Sequence, residues 1–377
     1  MKVGILTIHR ILNFGSSLQA YALQNFIEKE LKHCSCSIID YRYPNSYHIN
    51  SRRNSLTFLK FMRLQLHKLK ESLNMNLRLQ KKQFQIFWNN EFNLTRSFLS
   101  QQEILNDSSL QFDIYIAGSD QIWSTKTLYG DPIFMFSFLD DKIKRFSYAS
   151  SFGQTSIDRK YENIFQVYLR KFSSIGVREF SGLKILNDLG LGNISQLVCD
   201  PTLLLSSKEY NLLAAKSSLD IQDNFILVYC LDYAFNPYPT IADVIEKVRT
   251  KFDSYKLVFL GKKIQGFNSN TTCYKHANPY DFLYLFSKAS YIITSSFHGT
   301  AFSVIYRKPF TTISPRKTDM RIFDFLHTIS LHDHIVYNDG NTNTILYSSS
   351  YTKEVLEKIN KYIDDSKKFL KHNLNNI

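Results

Sequence analysis

The sequence predicts an α/β chain of two doubly wound, Rossmann-like domains facing a cleft. Three observations carry this reading. Short apolar runs alternate with segments of helical spacing, the pattern of parallel strands covered on both faces. The alternation restarts after Asp200-Pro201. The chain has 377 residues, 44% of them hydrophobic, which is enough for two cores of ordinary size and too apolar for a disordered chain.

Taken in order, Lys2–Ile8 reads as a first strand, Gly15 as a turn and Ser17–Leu31 as a helix. Ser37–Tyr41 is a second strand, and Phe112–Ala117, Arg145–Ser150, Ser174–Val177 and Gln196–Cys199 continue the series. Past Asp200, strands are expected at Phe225–Leu231, Lys256–Leu260 and Tyr291–Thr294, with helices over 238–250, 279–287 and 299–306. The expected domains are therefore 1–200 and 201–345. Residues 346–377 hold a Lys-rich amphipathic helix, Thr352–His372, of a kind able to cross back to the first domain. Ligands of such sheets sit at the carboxyl ends of the strands, where helix N-termini converge.

One stretch breaks the alternation. Residues 52–82 carry nine Lys and Arg against the single acid Glu71, while Leu56, Leu59, Met62, Leu66, Leu69 and Leu73 recur at helical spacing. This basic amphipathic insertion, about 52–90, is either a packed helix with a solvated basic back or an element that lies on an anionic membrane surface. The whole chain has a formal net charge of +13, which favours anionic partners without choosing among them. No zinc-finger, RRM, KH or helix-turn-helix pattern accompanies the charge, so nucleic acid is not the expected partner. Five scattered cysteines form no metal-ligand spacing and read as reduced thiols; no metal is expected. The N-terminus is not that of a signal peptide, and the longest apolar runs fall far short of the roughly 20 residues a membrane span needs. A cytoplasmic protein is expected, at most peripheral at the inner membrane face.

Four turns carry chemistry. In Tyr291–Ser303 a buried strand runs into Ser295-Ser296-Phe297-His298-Gly299-Thr300 at a helix start. Backbone N–H groups there favour an anion, making Ser296, Gly299 and Thr300 candidate phosphate contacts and His298 a candidate proton donor. The same residues also suit a plain N-cap cluster with His298 exposed. In Phe112–Trp123 a strand leads to Gly118-Ser119-Asp120-Gln121, with Asp120 a candidate base toward a hydroxyl, or else an Asx turn. The turn after the first strand offers Asn13, Gly15 and Ser17 at a helix N-terminus, without a dinucleotide or Walker fingerprint. Arg178 follows a strand in Ile175–Glu179, suited to clamp carboxylate or phosphate or to pair with Glu179. Arg316, Lys317 and Arg321 add positive charge after the strand-like Phe310–Ile313.

Together the stretches GILTIHRILNFGSSLQAYALQ, FDIYIAGSDQIW, FSYASSFG, GVREFSG, CDPTLLL and TSSFHGTAFSVIYRKPF, in that order, resemble the polysaccharide pyruvyl transferase family. The resemblance implies a two-domain GT-B-like fold and transfer of a pyruvyl group from phosphoenolpyruvate to two hydroxyls of one sugar, giving a cyclic ketal. No cofactor is implied beyond that donor substrate. Donor-binding positions would be Arg178 and His298, with a third cation at Arg321, which precedes an Ile-x-Asp-Phe-Leu helix, or at Arg316. Asn13, Gly15, Ser17, Ser119, Asp120 and Gln121 would face the acceptor, a glycan of a cell-surface polysaccharide or its lipid-linked precursor. His298 and Asp120 are the candidate catalytic groups. A GT-B glycosyltransferase using a nucleotide sugar is the alternative enzyme, sharing the cleft and the strand-end anion sites.

Overall fold

A computed structural model describes residues 1–31, 34–42, 75–231, 235–315, 320–340, 342 and 345–375. The chain divides into two units, Met1–Leu197 with Phe369–Ile377, and Val198–Lys368.

The first unit is built on a parallel seven-stranded sheet. Its strands are β1 (Lys2–Leu6), β2 (Ser35–Tyr41), β3 (Leu94–Phe98), β4 (Ile114–Ala117), β5 (Lys144–Ser150), β6 (Ile175–Val177) and β7 (Ser195–Leu197), in the spatial order β3-β2-β1-β4-β5-β6-β7. The chain winds outward from β1 through β2 to β3, then returns to place β4 on the other side of β1. The helices are α1 (Phe14–Glu30), α2 (Met75–Glu91), α3 (Gln101–Leu105), α4 (Arg159–Leu169) and α5 (Phe180–Asp188). Val3 to Leu6 and all of β4 are buried, with no polar alternation, because helices cover both sheet faces. Phe14 of α1 meets Phe84 of α2 at 5.1 Å between ring centroids, and Trp88 Nε1 donates to Ser17 Oγ at 2.9 Å.

β5 carries one extra residue relative to β6, with Ser147 opposite Ile175 but Ser150 opposite Val177. Ala149, at φ 55°, supplies the bulge, an unusual backbone for a residue bearing a Cβ. Bulges of this kind re-aim the residues that follow them. Here those are Ser150 and Ser151.

The second unit holds a parallel six-stranded sheet of β8 (Phe225–Tyr229), β9 (Lys256–Leu260), β10 (Thr271–Tyr274), β11 (Tyr291–Thr294), β12 (Phe310–Ser314) and β13 (Ile335–Tyr337), ordered β10-β9-β8-β11-β12-β13. Its helices are α6 (Ser207–Ala214), α7 (Thr240–Lys251), α8 (Pro279–Lys288), α9 (Phe297–Ile305), α10 (Met320–Thr328) and α11 (Lys353–Asn375), of which the residues from Phe369 onward belong to the first unit. All five residues of β8 are buried, each large aliphatic side chain contributing about 2 kcal/mol. The winding direction again reverses beside the first strand, here between β8 and β11.

Three described strands escape the sequence reading: β3, β10 and β13. Each closes an edge of its sheet; β3 and β10 are only partly buried with a weak apolar pattern, while β13 is buried but only three residues long. The basic stretch at 52–74 lies outside the described residues; Met75–Lys82 opens α2. Among the described residues no helix is long and apolar enough to cross a membrane. The five cysteines are free thiols.

Candidate functional site

In each unit the candidate residues gather at the point where the strand order reverses, the place where the carboxyl ends of neighbouring strands part and leave room for a ligand.

In the first unit, the loop after β1 leads to Asn13, which caps α1 by accepting from Ser16 N at 3.2 Å. The cap turns the hydroxyl of Ser16 across to the loop after β4, where it donates to Asp120 Oδ2. Asp120 has φ 73°, a left-handed backbone that Asp tolerates better than most residues but that still costs on the order of 1 kcal/mol. Its Oδ1 accepts from Gln121 N at 2.9 Å. The side chain of Gln121 lies over Gly153, where a Cβ would come within 2.4 Å of Gln121 Oε1 and φ is +62°. Only glycine satisfies both conditions there.

Arg178, buried just beyond β6, has Nη2 3.9 Å from Asp120 Oδ1 and Nε 3.9 Å from Glu179 Oε2. Glu179 is fixed from its other oxygen: Oε1 accepts from Ser151 Oγ at 2.9 Å and from Phe152 N at 3.0 Å. Both donors follow the Ala149 bulge. Arg178, Asp120, Glu179 and Ser16 thus form one cluster of charge and hydroxyl at the strand ends.

The other expected acceptor contacts have structural duties in this unit. Ser17 is fully buried, its hydroxyl accepting from the Trp88 indole on the back of α1, so it is Ser16 that faces the loop. One residue is a 100° turn of the helix, and residue type alone does not tell the two serines apart. Ser119 is buried, its carbonyl accepting from Thr7 Oγ1 at 2.7 Å, and Gly15 is buried in the first turn of α1.

In the second unit β11 ends at Thr294 and α9 begins at Phe297. Ser296 is the N-cap, its Oγ accepting from Gly299 N at 3.3 Å. Gly299 is required by space: a Cβ would lie 2.2 Å from Thr294 Oγ1. Thr300 is buried, with its hydroxyl bonded to Ser296 O at 3.0 Å and Thr312 Oγ1 at 2.9 Å. Ser296, Gly299 and Thr300 therefore build the turn itself: their backbone N–H groups donate to Thr294 Oγ1, Ser296 Oγ and Ser296 O in that order.

His298, in the first turn of α9, is buried rather than exposed. Its Nε2 makes no hydrogen bond and stands 3.6 Å from Oδ2 of Asp200, whose side chain is wholly buried. Asp200 is itself anchored, Oδ1 accepting from Thr202 N at 3.0 Å and Thr202 Oγ1 at 2.8 Å. Sequence reasoning quoted Asp200 within CDPTLLL but gave it no role; the carboxylate behind the imidazole is visible only in three dimensions. Arg321, half-buried, lies one turn before Phe325 on α10. The Phe325 ring meets that of Phe297 at 5.8 Å, which puts Arg321 on the side of α10 nearest the start of α9. Arg316 lies outside the described residues. Among those described, no group of three His, Cys, Asp or Glu could hold a metal ion.

The family model described as Polysaccharide pyruvyl transferase matches residues 13–317. No curated protein matches the chain. Solved structures with a similar fold include a UDP-N-acetylglucosamine 2-epimerase from Rickettsia bellii, with a TM-score of 0.56, 12% identity, and coverage of 100% of this chain and 96% of that one. The UDP-GlcNAc 2-epimerase from Neisseria meningitidis, bound to UDP-GlcNAc, gives a TM-score of 0.55 at 11% identity and covers 99% of both chains. These likenesses show the GT-B fold.

Proposed function

The chain belongs to the polysaccharide pyruvyl transferase family, and from that premise we propose that it moves a pyruvyl group from phosphoenolpyruvate onto two hydroxyls of one sugar residue. The acceptor is a polysaccharide or its lipid-linked precursor, and the product is a cyclic ketal. The observation that carries this reading is the pairing of buried His298 with buried Asp200 at the start of α9. A carboxylate behind one ring nitrogen is the arrangement that steadies an imidazole for proton transfer.

The reaction needs two new C–O bonds at C2 of the donor and the loss of one. Protonation of the methylene carbon makes C2 electrophilic, and the first sugar hydroxyl adds there as its own proton is removed. The bond from C2 to the phosphate oxygen then breaks, and the second hydroxyl closes the ketal. The two hydroxyl protons end on the new methyl group and on phosphate. We assign His298 to proton delivery, to the methylene or to the departing phosphate. Arg178 and Arg321 hold the carboxylate and phosphate charges. Asp120, steadied by Ser16 and beside Arg178, takes the proton of an attacking hydroxyl.

The test is incubation with phosphoenolpyruvate and a panel of lipid-linked and aryl glycosides, followed by mass spectrometry and phosphate assay. An added pyruvyl ketal with one phosphate released per transfer is expected. Thermal stabilisation by a nucleotide sugar and none by phosphoenolpyruvate would instead favour the glycosyltransferase reading.

A further inference from the structure

Helix α2 is two-sided in a way its packing does not use up. One side is core: Phe84, Phe87 and Trp88 are buried against α1 and its neighbours. The opposite side carries Met75, Leu79 and Ile86, exposed by 66%, 42% and 40%. At 100° per residue these three fall within about 40° of arc, a continuous apolar stripe pointing away from the fold. Arg78 and Lys82 are exposed beside it, and the one acid of the helix, Glu91, lies at its far end. The sequence immediately before the helix, residues 52–74, adds six more basic residues against Glu71.

We propose that this outward face of α2 is a docking surface for an anionic lipid bilayer. Three aliphatic side chains flanked by Lys and Arg suit the boundary between head groups and acyl chains, where the apolar stripe is buried and the cations meet acidic head groups. Charge complementarity selects this occupant. A second copy of the chain would bring the same cations to this face. Nucleic acid would attract the cations but leave the aliphatic stripe unused, and the exposed face offers no aromatic ring for base stacking. The proposal goes beyond the transfer reaction and does not depend on it.

Vesicle flotation of the full chain tests it without reference to turnover. The protein should float with phosphatidylcholine vesicles containing phosphatidylglycerol, stay behind with phosphatidylcholine alone, and be released by salt. Arg78→Gln with Lys82→Gln should weaken binding about thirtyfold, and Leu79→Gln with Ile86→Gln should abolish flotation at equal thermal stability. Equal binding to neutral vesicles, or undiminished flotation of both double variants, overturns the proposal. So does a fall in thermal stability of the Leu79/Ile86 variant with flotation intact, which would mean that the chain's own 52–74 segment covers the stripe. Two other results would also overturn it: a dimer lost in that variant, or binding of a duplex oligonucleotide with no binding of vesicles.

Discussion

Oδ2 of Asp200 stands 3.6 Å from Nε2 of His298, and the other oxygen of the same carboxylate is tied to the backbone and hydroxyl of Thr202. The acid is therefore fixed, and it faces the imidazole at ion-pair distance. Asp200→Asn keeps the Thr202 bonds through its amide oxygen but replaces the negative charge behind the ring. We expect kcat for pyruvyl transfer to fall about a hundredfold while KM for phosphoenolpyruvate changes little. Steady-state kinetics check this, and a change confined to KM would show that Asp200 merely shapes the binding pocket.

Removing the proposed proton carrier and the proposed anion clamp should give different kinetic signatures. His298→Ala should lower kcat by about a hundredfold or more, since general acid catalysis supplies that order of acceleration. Arg178→Lys keeps a charge but loses the planar fork, so its main effect should be a raised KM for the donor. Pyruvate incorporation near wild type in both variants would remove the site assignment.

The Ser16–Asp120 bond separates chemistry from fold. Asp120→Asn retains a residue that tolerates φ 73°, with its amide oxygen accepting from Gln121 N and its amide N–H able to donate to Ser16 Oγ in turn, so its melting temperature should match wild type within a few degrees. Its transfer rate should nonetheless drop about a hundredfold. Ser16→Ala should cost less in rate, on the order of tenfold, because the carboxylate keeps its charge. A fully active Asp120→Asn variant would take the base role away from this residue.

Gly299 gives a prediction about stability alone. A methyl group there would meet Thr294 Oγ1, which is itself bonded to Tyr229 O at 2.7 Å, and Tyr229 Cδ1 lies 3.1 Å away. Gly299→Ala should therefore destabilise the second unit by about 1–3 kcal/mol, measured by urea unfolding.

Asp40, at the end of β2, supplies a pH dependence. Burial pushes its carboxyl up, but hydrogen bonds from His9, Arg10 and Ser97 outweigh it and hold the group well below the usual carboxylate range. A carboxylate depressed in the folded state contributes stability above its unfolded value of about 3.9, and that contribution is lost as pH falls from there through the folded value. Asp40→Asn should be less stable than wild type by about 3 kcal/mol near neutrality, and the gap should shrink steadily in acid. Urea midpoints measured down the pH scale decide it; a constant gap contradicts the argument.

The central strands were legible because they are apolar runs broken only at one end: the reading of Tyr291–Thr294 and Lys256–Leu260 agrees with β11 and β9 residue for residue. Edge strands such as Leu94–Phe98 were not, since half their surface faces water. At the candidate site, residue type singled out Asp120, Arg178 and His298 as candidates, but partnerships across the fold needed coordinates. Spacing left Arg178 equally suited to Glu179 or a more distant acid, and the structure sets it 3.9 Å from each of two. His298, one of whose two readings was as an exposed residue, is buried, and the carboxylate beside it comes from nearly a hundred residues away.

The bulge at Ala149 gives the first unit a mechanical vulnerability out of proportion to the size of one alanine. Ser150, whose hydroxyl reaches the carbonyls of Ala117 and Gly118, and Ser151, which anchors Glu179, owe their facing to that extra residue. Deleting a single codon there would restore a regular ladder and remove the local bend and added twist that aim both serines. The length of this strand is thus as fixed as the identity of the residues it serves, and insertions or deletions would be tolerated in the outer loops long before they were tolerated here.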